Sequence, residues 1–206
     1  LTREAHRIMT ALTAAQLSRL TPLMIEREAR GYVRDGHGDL HARNICMTDP
    51  IQIYDCIEFC RRFRVADIAA ELAFLLMDLE FRGRGDLAGE FLASYQTHAA
   101  SPDFAELLPF YKSYRAWVRG KVDALLAGET DVEPTRRREA QERAPAVVER
   151  GEAIGERRQA GDRANAVGRH STVLQGRQRL QRWPHTAARL AGGRPGARPP
   201  RRRPGL

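Results

Sequence analysis

Two carboxylates and a carboxamide, Asp39, Asn44 and Asp55, fall close together in the chain. The first two belong to the stretch Gly36–Asn44, GHGDLHARN, and Asp55 ends a β-rich run that follows. Phosphoryl transfer from a nucleotide is a reaction that such a set could serve. It needs an acceptor hydroxyl held in line beside a carboxylate, and metal ions that neutralise the phosphates, but little covalent help from the protein. A hard cation such as Mg²⁺ takes oxygen ligands, which Asn and Asp supply. A lone His-Gly-Asp is also compatible with an ordinary surface turn, so the weight rests on the conjunction with Asn44 and Asp55.

The elements that must position these residues can be read from hydrophobic spacing. Leu12, Leu17, Leu20, Leu23 and Met24 recur at helical intervals, which predicts one helix, or two joined near Thr21 at Pro22, ending at Gly31. Ile45–Met47 and Ile51–Tyr54 are short β-rich runs split by Thr48-Asp49-Pro50, which reads as a small hairpin between two polar loops. From Val65 the spacing of Ile68, Leu72, Leu75, Leu76 and Leu79 predicts a helix closed by Gly83 and Gly85. Two more helices are expected, over residues 86–98 and 103–126. On the last of these, Phe110, Tyr111, Tyr114 and Trp117 read as core packing, with an aromatic acceptor pocket as the alternative. The fold class is therefore α+β, mainly helical, with one hairpin.

The spacing from Asp39 to Asn44, D-x-x-x-x-N, matches the catalytic loop of kinases. His37-Gly38-Asp39-Leu40-His41 with Asn44 resembles the catalytic loop of the aminoglycoside phosphotransferase-like kinases, which have a protein-kinase-like fold. Tyr54-Asp55-Cys56-Ile57-Glu58-Phe59 and Val65-Ala66-Asp67-Ile68-Ala69 resemble that family's metal-binding Asp segment and the acidic residue opening its next helix. The segments ELAFLLMDLE (71–80) and 107–121 look most like a bacterial branch in which this kinase domain precedes a P-loop ATPase domain.

The resemblance implies that residues 1–126 form the C-terminal catalytic lobe and that the chain is a small-molecule phosphotransferase using ATP and Mg²⁺. Asp39 would be the catalytic base. His37, Asn44 and Asp55 would form the nucleotide-binding set, Asn44 and Asp55 by holding Mg²⁺, and His37, with Asp67, by supporting the loop. For Asp67 the plainer alternative is a carboxylate placed at a helix N-terminus. His41 and Glu58 belong to the same segments without an assigned role. The family's β-rich N-lobe, with a Lys pairing the phosphates, is not found before His37, and Lys112 is the first lysine in the chain. No G-x-x-x-x-G-K-[ST] motif follows. The expectation is thus a catalytic lobe that lacks half of its nucleotide cleft, exposes a lobe interface, and binds Mg-ATP weakly on its own.

Charge divides the chain. Lys plus Arg number 34 against 26 Asp plus Glu, for a net +8. Residues 1–126 are nearly balanced, whereas after Asp162 eleven arginines follow with no acidic residue. Interleaved Gly, Pro and Ala, as in GGRPGARPP (192–200), bury too little apolar surface to offset chain entropy. A boundary is therefore expected near Ala127–Pro134, with residues 127–206 a disordered basic tail that allows one charged helix over Thr135–Arg158. Three readings stand for this tail: out-of-frame or degenerate sequence, an inert solvated extension, or an arginine-rich nucleic-acid arm. Stacking aromatics are nearly absent from it, which argues against the arm. The alternative function is accordingly a non-catalytic kinase-like scaffold with a basic tail.

Cys46, Cys56 and Cys60 are too few and too clustered for a disulfide framework and read as reduced thiols. No apolar run suits a membrane span, and Leu1–Met9 is too charged for a secretory leader, so a cytoplasmic compartment is expected. The acceptor is expected to be a small molecule bearing a hydroxyl, its identity set by pocket shape.

Overall fold

The helix at the centre of the fold is apolar almost all round. In a computed structural model that describes residues 2–99 and 104–181, with side chains through Asp162, the run IAAELAFLLMDLEF forms α3 (Ile68–Phe81). Residues Leu72–Met77 are all buried, as expected of a helix with no polar face. Around it pack α1 (Arg3–Ala29), α4 (Gly85–His98) and α5 (Phe104–Gly128). Their core joins Leu20, Leu72, Ala73, Leu76, Ala88, Phe104, Leu107 and Phe110. The chain is mainly helical with small antiparallel strand pairs, among the described residues.

The hairpin lies where the sequence places it, with β2 (Ile45–Cys46) paired antiparallel to β3 (Gln52–Ile53). A second pair is unforeseen. Residues Val65–Asp67, read from the sequence as the start of a helix, form a strand, β4, that pairs with β1 (Val33–Asp35) in the register Val33 with Asp67. One short helix, α2 (Arg61–Arg64), precedes it. The pairing sets Asp67 at the mouth of α3, where its carboxylate caps Ala69 N at 2.8 Å and takes two bonds from Arg27, at 2.7 and 2.9 Å. Both side chains are buried. Asp67 therefore takes the plainer of the two roles weighed for it, the helix cap, and is paired with α1 rather than bonded to the loop; removing Arg27 would strand a buried charge at a cost of about 3–5 kcal/mol. Pro22 does not split α1, which runs unbroken to Ala29 before Gly31 turns at φ +78°.

The basic segment departs most from expectation. A helix expected only over Thr135–Arg158 extends over Pro134–Gln181 (α6). The compact unit reaches Arg163 rather than ending near residue 127. Ala140, Ala144, Val147, Val148 and Ile154 of α6 are buried, and Val147 joins Phe74, Met77 and Ala116 in a second apolar cluster. Small residues make this possible. A Cβ on Gly120 of α5 would run into Val148 Cγ2 and lie 3.1 Å from Ala144 O, and one on Gly151 would lie 3.0 Å from Ala116 Cβ. Ser113 Oγ donates to Gly151 O at 2.7 Å, and Gln16 Nε2 to Gly155 O at 3.2 Å. Residues 164–206 form a separate unit. Residues 182–206 of the expected tail lie outside the described residues, and the nucleic-acid-arm reading falls largely on them.

Candidate active site

Backbone geometry brings the loop bearing Asp39 to its position. Gly38 has φ +83°, and a Cβ there would lie 2.9 Å from Phe63 O, so only glycine suits both the left-handed turn and the close approach. Its N–H donates to both carboxylate oxygens of Glu71 on α3, at 2.9 and 3.2 Å, and its carbonyl accepts from Arg115 Nη1 on α5 at 3.0 Å. The loop is thus clamped between two helices one residue before Asp39.

His37 braces this loop against the segment carrying Asp55. Its Nδ1 accepts from Asp39 N at 3.3 Å and its Nε2 lies 2.8 Å from Tyr54 O, an arrangement satisfied by the Nε2–H tautomer. Ile57 N also donates to His37 O at 3.0 Å. Both ring nitrogens are therefore engaged by backbone, which makes His37 a positioning residue and leaves neither nitrogen for a nucleotide.

Asn44, buried at the end of a 3₁₀ turn over Ala42–Asn44, donates from Nδ2 to Asp39 O at 3.0 Å. That leaves its Oδ1 as the atom available to a cation. Tyr54 N donates to Asn44 O at 3.0 Å, placing Asp55 directly after a residue bonded to Asn44. Asp55 is exposed and adopts φ +62°, a conformation rare for a residue with a Cβ, and its carboxylate has no hydrogen bond or ion pair among the described residues. Among the described residues no group of three or more His, Cys, Asp or Glu side chains could hold a metal. Asn44 and Asp55 alone are a two-ligand set, which suits Mg²⁺ held jointly by substrate phosphates and waters. Glu58 is exposed and likewise has no hydrogen bond or ion pair. The three cysteines are free.

The carboxylate of Asp39 is subject to opposing influences. Burial pushes its pKa up, but His41, then Arg119 and Arg115, outweigh burial and hold it below the usual carboxylate range. His41, which had no assigned role, supplies the nearest of these contacts: its Nε2 lies 3.4 Å from Asp39 Oδ2 and 3.3 Å from Arg119 Nη1. Its ring is buried edge-on to Phe74 at 5.6 Å. Arg119 in turn lies 3.3 Å from Oδ1 of Asp123, a fully buried carboxylate that also receives Arg143 of α6 at 2.6 and 2.7 Å. Polar contacts thus run from α6 through Asp123 to Arg119, which meets Asp39 at the single His41 Nε2, a nitrogen that can accept from Arg119 or donate to Asp39 but not both at once.

Asp39 borders a cavity of about 620 Å³ between the loop, α2, α3 and α5. Tyr111 and Tyr114 line it, while Phe110 is buried in the core and Trp117 packs against His6 at 5.9 Å. The aromatic cluster read as core is therefore divided between core and cavity. Arg115, Arg119 and Arg62 also line the cavity and were not singled out from the sequence. The i, i+4 spacing of the first two on an otherwise apolar face was the available signal.

No family model and no solved structure matches the chain. Its curated relatives include uncharacterized proteins of Mycobacterium bovis and of two Mycobacterium tuberculosis strains, each 42% identical over 104 residues. The match covers 50% of this chain and 21% of each relative, so the chain spans about a fifth of the relatives' length.

Proposed function

We propose that this chain is the catalytic lobe of an ATP-dependent phosphotransferase, of the aminoglycoside phosphotransferase-like kind, acting on a hydroxyl of a small molecule. The reading rests on one observation above others. Asp39, its carboxyl held below the usual carboxylate range, borders a cavity, while Asn44 Oδ1 and the Asp55 carboxylate, tied to it through backbone bonds, carry no partner among the described residues. In this reading Asp39 orients the acceptor hydroxyl and receives its proton, and His41 keeps the carboxylate aimed. Asn44 and Asp55 would hold Mg²⁺. Mg-ATP, when bound, would supply the phosphoryl group that passes to the acceptor oxygen as ADP leaves.

Exposed apolar side chains adjoin the proposed nucleotide side. Met47, Ile51, Ile53, Tyr54 and Phe59 are all more than half exposed, along the hairpin and the segment that follows it. Such a run is what a second lobe closing over a nucleotide would cover. Release of ADP from Mg-ATP in the presence of hydroxylated small molecules tests the proposal. Asp39→Ala should lower any acceptor-dependent turnover by about 10²–10⁴-fold, and unchanged turnover would overturn it.

A further inference from the structure

The charge of the cavity beside Asp39 is lopsided. Four of its lining side chains are basic, Arg62, Arg115, Arg119 and Lys121, and Asp39 is the sole carboxylate among them. Two of the cations are uncommitted among the described residues: Arg62 and Lys121 make no hydrogen bond or ion pair there. The hydrogen bonds of Arg115 go to backbone carbonyls, Ala70 O at 3.3 Å and Gly38 O at 3.0 Å, and the carboxylates that act on its charge, Glu71 and then Asp39, do so without a direct bond. Arg119 alone has a carboxylate partner, Asp123, and shares it with Arg143. The remaining wall is apolar and aromatic, with Phe59, Phe63, Phe74, Tyr111, Val118 and Val122 among its residues. Its volume suits a single small organic molecule.

We infer that the acceptor is an organic anion: a hydroxyl-bearing molecule with an apolar or aromatic body and a carboxylate or phosphate, placed so that its hydroxyl reaches Asp39 while its anionic end meets Arg62 and Lys121. The assignment of a hydroxyl to Asp39 rests on the phosphotransferase reading; the charge preference rests on the cavity. A polycationic acceptor would bring its charge against four cations and find one carboxylate. Electrostatic complementarity of this kind selects between ligands of similar shape more strongly than it raises affinity overall.

The test is a charge series on one molecular body, titrated into the full chain and followed by ligand-observed NMR: 3-phenyllactate, its neutral amide, and the cationic 1-amino-3-phenylpropan-2-ol. The acid should bind about tenfold more tightly than the amide, and the amine more weakly than either. Adding salt should erode the preference. An Arg62→Gln, Lys121→Gln double variant should bring acid and amide to similar affinity, with circular dichroism and melting unchanged because both side chains are outside the core. Asp39→Asn, which removes the one opposing charge, should leave acid binding intact or tighter.

Equal binding of the three probes, tightest binding of the amine, no saturable binding of the acid, or a preference that survives the double variant would each overturn the inference. Its failure and that of the phosphotransferase reading are separable. Acid-selective binding with no Mg-ATP-dependent transfer in the chain or in a longer protein containing it would sink the kinase and keep the anion site. Asp39-dependent transfer to the amine in preference to the acid would do the reverse.

Discussion

Burial would raise the Asp39 carboxyl, but His41, two residues on, and then Arg119 and Arg115, distant in sequence, together hold it below the usual carboxylate range. Arg119 contributes through its charge. In Arg119→Gln the carboxylate should lose that support, and its pKa should rise. If Asp39 is the base proposed, it works only when ionised, so activity is present above this pKa and lost as pH falls through it; the acid limb of the kcat/KM profile should therefore move to higher pH. A carbon-detected carboxyl titration reads the same shift without turnover, and an unmoved Asp39 would show that Arg119 acts only on the fold. Of this site, the neighbourhood of Asp39 and Asn44 was legible from spacing, since both lie in one short segment, whereas the part given to Asp55 belongs to the proposal. His41 was visible but mute. Its meaning depends on Arg119 and Phe74, residues whose approach no local pattern encodes.

At the level of elements, the α5–α6 contact is the feature that composition hides. Gly and Ala in an arginine-rich segment read as signs of an unfolded chain, yet here they let two helices touch. Gly120→Ala should destabilise the protein by about 1–3 kcal/mol, because the new methyl meets Val148 and the backbone of Ala144. Gly89→Ala on α4, where nothing lies within 4 Å of the added carbon, should be neutral or stabilise by about 0.5–1 kcal/mol. Thermal melts of the pair check the contrast; equal effects would mean the close crossing carries no energetic weight. The other helices were readable because their apolar faces repeat at 3.6 residues. Strands β1 and β4 were not, since three residues cannot display a period and their pairing joins segments on either side of the loop and hairpin.

For the whole molecule, the question is where the folded unit ends. No described helix is long and apolar enough to cross a membrane. A chain cut after Leu126, where charge and composition change, would lose Val147 from its cluster with Phe74, Met77 and Ala116. Such a fragment should bind a hydrophobic dye, melt without cooperativity and disperse poorly in NMR spectra, whereas a cut after Arg163 should retain the melt of the full chain. If the shorter fragment behaves as well as the longer, α6 is an accessory. The polar path from Arg143 to Asp39 adds a different consequence, one for genetics. On the phosphotransferase reading, in a screen scored by activity alone, substitutions at Arg143 would sort with those at Asp39, and a segment whose composition suggests dispensable sequence would map to the proposed site.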